Sequence, residues 1–114
     1  MTINKVFLSG NLTRDPERRK AGETPILQFG IAVNEYRKDE QYTNFFDATV
    51  FGQQAKNLAD LLHKGDKIAL EGRLRYETWM KDDQKRSKVS IIADRVELFR
   101  PKAEKDDNGE DVPW

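Results

Sequence analysis

The chain has 114 residues, 37% of them hydrophobic and 10% aromatic, which is room for one domain and enough apolar content to fill one core. It has no cysteine, which excludes disulfide frameworks, thiolate metal sites and cysteine nucleophiles and fits a reducing cytosol; its hydrophobic runs never exceed three residues, as in Val6-Phe7-Leu8, too short for a membrane helix or a signal-peptide core. Twenty basic and twenty acidic side chains cancel, yet residues 101–114 carry −3 and residues 1–100 carry +3, a layout that suits an anionic partner for the body and a separate task for the tail.

The first strand is expected at about Ile3 to Leu12, with Val6 and Leu8 pointing one way and Lys5, Phe7 and Ser9 the other. Asp15-Pro16 and the stretch Gly22 to Pro25 mark a loop. A second strand, about Ile26 to Tyr36, sets Leu27, Phe29, Ile31 and Val33 against Gln28, Gly30, Ala32, Asn34 and Tyr36, a face of mostly small residues ending in one large ring. After a charged loop, Arg37 to Gln41, a third strand is expected at about Thr43 to Phe51. Its Phe46, Ala48 and Val50 suit a core, and its other face carries Phe45, Asp47, Thr49 and Phe51. Ala55, Leu58, Ala59 and Leu62 recur at helical spacing and predict a helix over about Gln53 to Lys64, stopped by Gly65. The fourth strand, Asp66 to Trp79, puts Ile68, Leu70, Gly72, Leu74 and Tyr76 on one side. Lys67, Ala69, Glu71, Arg73, Arg75, Glu77 and Trp79 take the other. Lys81 to Arg86 form a polar hairpin tip, and the fifth strand, Ser87 to Phe99, changes phase near Ile91-Ile92, as a bulge or two-sided burial would require. Pro101 ends the domain, so the expected organisation is a folded unit at 1–100 and an acidic tail at 101–114 with too few apolar residues to fold.

Three strands, a helix and two more strands is the order of an OB-fold: all-β with one helix, a five-stranded Greek-key barrel with the helix between strands 3 and 4. An SH3-like barrel or a half-open roll stays open as an alternative. Catalysis has little to stand on. His63 is the only histidine, expected in the last helical turn, where an imidazole favours the helix C-terminus. One histidine without cysteine is too few ligands for a zinc site. No P-loop or dinucleotide fingerprint occurs, and Asp82-Asp83, between Lys81 and Lys85, reads as a soluble turn. Neither enzyme activity nor a cofactor is expected.

Binding has more. The outer faces collect Tyr36, Phe45, Phe51 and Trp79, interleaved with Arg73 and Arg75, while Arg37, Lys38, Lys85, Arg86 and Lys88 lie on adjoining loops and edges. Rings that stack on bases and cations that track phosphates are what a single-stranded nucleic acid needs, and stacking accepts every base. Phe45 and Phe51 would alternatively pack under the helix or in a subunit interface, and Arg73 and Arg75 would pair with Glu71 and Glu77 across the sheet.

These residues resemble the bacterial-type single-stranded DNA-binding protein family. Asn4-Lys5-Val6-Phe7-Leu8-Ser9-Gly10-Asn11-Leu12 with Asp15-Pro16-Glu17 is similar to its first strand and loop, and Phe45 to Gly52 to its third strand. Leu61-Leu62-His63-Lys64-Gly65-Asp66 and Glu71-Gly72-Arg73-Leu74 resemble its helix exit and fourth strand. The likeness runs in one register over roughly residues 3–100. Family members close on an acidic segment with an Asp-Ile-Pro-Phe-like tip, and Glu110-Asp111-Val112-Pro113-Trp114 is similar. The resemblance implies sequence-independent binding and protection of single-stranded DNA in replication, recombination and repair. It also implies stacking on Tyr36, Phe45, Phe51 and Trp79, a homotetramer in the bacterial cytosol or encoded by a phage or plasmid, and replication and repair partners docking on Asp111, Val112, Pro113 and Trp114. No membrane partner is implied. The chain departs from the pattern where Tyr36 and Phe45 replace frequent tryptophans, where Asp47 takes a position usually basic or neutral, and in its very short linker. A protein-interaction OB module, such as a replication-restart accessory, is the rival reading, and an RNA chaperone a more distant one.

Overall fold

The alternation through residues 27–33 acts as a strand pattern should: Leu27, Phe29 and Ile31 lose essentially all their solvent contact, and residues between them face outward. The computed structural model describes residues 1–99, and the expected tail at 101–114 with its Asp111–Trp114 tip lies outside the described residues. The elements are β1 (Val6–Leu12), β2 (Glu17–Ala21), β3 (Thr24–Arg37), β4 (Glu40–Phe51), α1 (Gln53–Ala59), β5 (Lys67–Lys81) and β6 (Gln84–Phe99). One sheet runs β1-β5-β6-β4-β3-β2, and a further β1–β3 pairing closes it, so five strands make a barrel and β2 lies outside the ring on the edge of β3. Closure also uses the parallel β4–β6 contact, Ala48 with Ile91 and Thr49 with Ile92. With α1 between the third and fourth barrel strands, this is the OB-fold barrel that the strand order predicts.

The barrel is filled by Leu12, Leu27, Phe29, Ile31, Val50, Ile68, Leu70 and Ile91, and α1 closes one end with Ala55 and Leu58. At Gly72 the strands approach too closely for a side chain, since a Cβ there would meet the Ile92 carbonyl oxygen on β6. The predicted bulge falls beside it: Glu71 pairs with Arg95 and Gly72 with Ala93, leaving Asp94 as the extra residue. Ile91, Ile92 and Ala93 are all buried, so two-sided burial holds as well. The Gln54 side chain brackets the bulge, donating to the Asp94 carbonyl (3.0 Å) and accepting from the Val96 N–H (2.8 Å).

Several expectations are corrected. Glu17–Ala21, expected as loop, is a strand paired to β3 through the tight turn at Gly22. The helix stops at Ala59, so His63 lies in the following loop. There Asp66 Oδ2 accepts from the His63 N–H (2.9 Å) and Asp15 Oδ1 from the Lys64 N–H (2.7 Å), side-chain bonds that replace further helical ones while Leu62 turns into the core. Phe46, Leu74 and Tyr76 have core parity but are exposed, because the β3–β4 and β5–β6 hairpins run on past the barrel wall. Both hairpins close in two residues, Lys38-Asp39 and Asp82-Asp83, all four with positive φ.

Candidate nucleic-acid interface

Residues paired across a ladder share a face. On β3 and β4 the register pairs Tyr36 with Gln41, Ala32 with Phe45, Gly30 with Asp47, Gln28 with Thr49 and Ile26 with Phe51. All have the parity opposite to the buried Leu27, Phe29 and Ile31, so they form the outside of the wall. On β5 and β6 the outer pairs are Arg73 with Ile92, Arg75 with Ser90, Glu77 with Lys88 and Trp79 with Arg86. The Thr49–Ile92 pairing joins the two halves into one surface. The four predicted rings therefore lie on a single face, with Tyr36 75%, Phe45 71%, Trp79 44% and Phe51 38% exposed. The alternative of Phe45 packed under the helix does not hold in the chain as described.

The centre of this face is polar. Lys88 Nζ is paired with Asp47 Oδ2, and Arg14 Nη2 lies 3.7 Å from Asp47 Oδ1. These groups, with Gln28, Thr49, Glu77 and Ser90, line a cavity of about 130 Å³. Arg14 went unnoticed in the sequence because it sits in the β1–β2 loop. Gly30 brings it in: a Cβ on Gly30 would meet Thr13 Oγ1 and the Arg14 guanidinium, so the missing side chain lets Arg14 lie across β3. Arg73 does not pair with Glu71; it donates to Asp94 Oδ1 at 2.9 Å, while Glu71 takes Lys5 at 2.7 Å. Arg75 Nε is 3.5 Å from Glu77 Oε1.

Two predicted cations do not join the cluster. Arg37 pairs with Glu40, on the face opposite Tyr36, and Lys85 pairs with Met80, on the face opposite Trp79 and Arg86. The two-residue turns set the register, and one step along a strand reverses the side. Lys38 sits in the β3–β4 turn itself. Away from the face, the hydrogen bond from Lys5 holds the Glu71 carboxyl below its ordinary value and that same bond raises Lys5. The Tyr42 phenol, donating to Glu40 (2.6 Å), is raised for the corresponding reason.

A second groove, about 490 Å³, lies between β2, β3 and α1 over Pro25, Ile26 and Ala55, and none of the four rings lines it. Among the described residues no group of three or more histidine or acidic side chains is placed to hold a metal ion, and no helix is long and apolar enough to cross a membrane. Open rings beside paired cations can stack planar groups and exchange carboxylate partners for phosphate.

The model of the single-strand binding protein family matches residues 3–99. The single-stranded DNA-binding protein of Aquifex aeolicus (strain VF5) is 39% identical over 107 residues, spanning 88% of this chain and 73% of that protein. The protein of the same name from Borreliella burgdorferi is 39% identical over 104 residues, spanning 85% and 70%. Among solved structures, the small single-stranded DNA-binding protein from Streptomyces coelicolor superposes with a TM-score of 0.71 at 27% identity, covering 87% of this chain and 96% of that one.

Proposed function

The chain belongs to the single-strand binding protein family, and on that premise we propose that it binds single-stranded DNA across the outer face of β3, β4, β5 and β6. Bases stack on Tyr36, Phe45, Phe51 and Trp79, and phosphates run along Arg73, Arg75, Arg86 and Lys88. The observation that carries this reading is the single continuous surface on which β3, β4 and β5 present those four exposed rings, with β6 joining β5 to β4. Arg37, Lys38 and Lys85, near the hairpin ends, add positive charge without facing the rings. Stacking makes the binding tolerant of sequence, which suits protection of exposed strands in replication, recombination and repair.

The same proposal includes a homotetramer in a bacterial cytosol. It is supported by exposed apolar side chains that another copy would cover, among them Phe7, Leu74, Tyr76, Met80 and Val89. It also includes docking of replication and repair proteins on Asp111, Val112, Pro113 and Trp114, supported by an acidic run that closes on one large ring. The test is a fluorescence titration of the full chain with homopolymeric single-stranded DNA, RNA and duplex DNA. Tight binding to single-stranded DNA with tryptophan quenching, and much weaker binding to duplex, is expected. Failure to bind any of them would favour the protein-interaction module, and tighter binding to RNA the RNA-chaperone reading.

A further inference from the structure

The cavity at the centre of the ring face is balanced in charge: Arg14 and Lys88 meet Asp47 and Glu77. The groove between β2, β3 and α1 is not. Arg18, Arg19, Lys20 and Lys56 line it against one carboxylate, Asp60, over a floor that includes Pro25, Ile26 and Ala55. Arg18 is paired with Asp60, and Arg19 with the neighbouring Glu17 at 2.9 Å. Both pairs are exposed, and exposed pairs are weak, so either arginine can exchange its carboxylate for a phosphate. Lys20 and Lys56 have no carboxylate partner among the described residues.

The groove also joins the ring face. The β3–β4 register sets Phe51 beside Ile26, and the β2–β3 register sets Ile26 beside Arg19. The three make one row across adjacent strands on the outer side, and two strand spacings put Arg19 about 10 Å from Phe51. Ile26 and Arg19 line the groove as well. Arg18 and Lys20 have the opposite parity, so β2, at the edge of the sheet, carries cations on both of its sides. A strand stacked on Phe51 therefore meets positive charge first on Arg19 and then on Lys20 and Lys56.

We propose that single-stranded DNA leaves the ring face at Phe51, crosses the β2 edge on Arg19 and enters this groove, where Lys20 and Lys56 hold its phosphates. The proposal rests on single-stranded DNA binding at the ring face and lengthens the track on each barrel. An apolar floor between cations suits a nucleotide, whose base faces are apolar and whose backbone is anionic. An acidic peptide would use the same cations and floor, but the row that ties the groove to Phe51 would then have no purpose.

The experiment is limited acetylation of the full chain with and without saturating oligo-dT, of a length well beyond the roughly 4–16 nucleotides that one OB fold covers, each lysine being read by mass spectrometry. DNA is expected to protect Lys88 on the ring face, and Lys20 and Lys56 with it. The Lys20→Gln, Lys56→Gln double variant is expected still to show the Trp79 quench at saturation, with a log–log salt slope smaller by about 1.4, at about 0.7 per phosphate. Lys67→Gln, which removes the same charge from β5 away from the groove, is expected to keep the wild-type slope. Circular dichroism melts check folding; if the double variant does not fold, the acetylation of the wild type decides. Protection of Lys88 without Lys20 and Lys56, or a slope that Lys67→Gln lowers as much per lysine, overturns the path. So does shielding of Lys20 and Lys56 that DNA does not change and that deletion of residues 101–114 removes, which would give the groove to that acidic segment. Failure of the wild type to bind oligo-dT would instead overturn the DNA-binding reading itself.

Discussion

Trp79 is the sharpest point at which to test stacking. It lies on β5 opposite Arg86 and two residues beyond Glu77, with 44% of its surface open in the free protein. A little over half of the residue is thus already covered by its own hairpin, and the open remainder is what a base would cover. Losing one base stack costs about 1–3 kcal/mol, which at about 1.4 kcal/mol per decade is a five- to 150-fold loss of affinity. Trp79→Ala should show that loss without a change in the salt dependence, since no charge is removed. Trp79→Phe, which keeps a smaller ring, should lose less affinity but most of the DNA-induced quench of tryptophan fluorescence. Trp79 is outside the buried cluster, so the thermal melt of either variant should move little. The assay is fluorescence anisotropy of a labelled oligonucleotide at several salt concentrations, read beside circular dichroism melts. A folded Trp79→Ala protein that binds as tightly as wild type, or a quench that survives Trp79→Phe, would refute the assignment.

Gly72→Ala should destabilise the fold toward the upper end of the roughly 1–3 kcal/mol typical of overpacking, because its Cβ would strike the Ile92 backbone; Gly30→Ala, whose Cβ meets side-chain atoms of Thr13 and Arg14 and no backbone, should destabilise it less, and chemical denaturation of both checks the contrast. The Lys5–Glu71 bridge should contribute stability at neutral pH and lose it as pH falls through the lowered Glu71 value, below the ordinary 4.5, and again as pH rises past the ordinary lysine value of 10.5 through the raised Lys5 value. Melts of wild type and Glu71→Gln should therefore differ at neutral pH and converge in acid; a difference that persists at low pH would assign the effect to packing. Deleting residues 101–114, which carry −3, should tighten DNA binding slightly at low salt, and the gain should vanish as salt screens the charges. Trp114→Ala should leave DNA affinity unchanged but abolish capture of partner proteins, and identical pull-downs with and without Trp114 would remove the docking role.

Much of the site was legible because strand parity is local. Phe45, Asp47, Thr49 and Phe51 stand on one side of β4 by alternation alone, as do Arg73, Arg75, Glu77 and Trp79 on β5, and the ladders bear both groupings out. What alternation does not carry is register across a turn. Lys38-Asp39 and Asp82-Asp83 lack the glycine that usually marks a two-residue hairpin, so the alternation leaves open to which side Arg37 and Lys85 turn, and the register turns both away from the rings. β2 escaped notice for a related reason: Glu-Arg-Arg-Lys-Ala has no apolar alternation, and its strand state comes from hydrogen bonding to β3 rather than from burial.

The sequence by itself determined which residues share a side of a strand, that a helix interrupts five core strands, and that rings and arginines collect opposite the core. It did so because a period of two and a period of 3.6 are properties of neighbouring residues. Only the tertiary structure decided where the barrel wall ends. Leu70 and Leu74 have the same parity on the same strand, yet Leu70 is buried and Leu74 exposed, because the strands that would cover Leu74 stop short of it. Closure likewise set Arg14 over Gly30 and brought Lys88 of β6 to Asp47 of β4, contacts between residues far apart in the chain that no local pattern encodes.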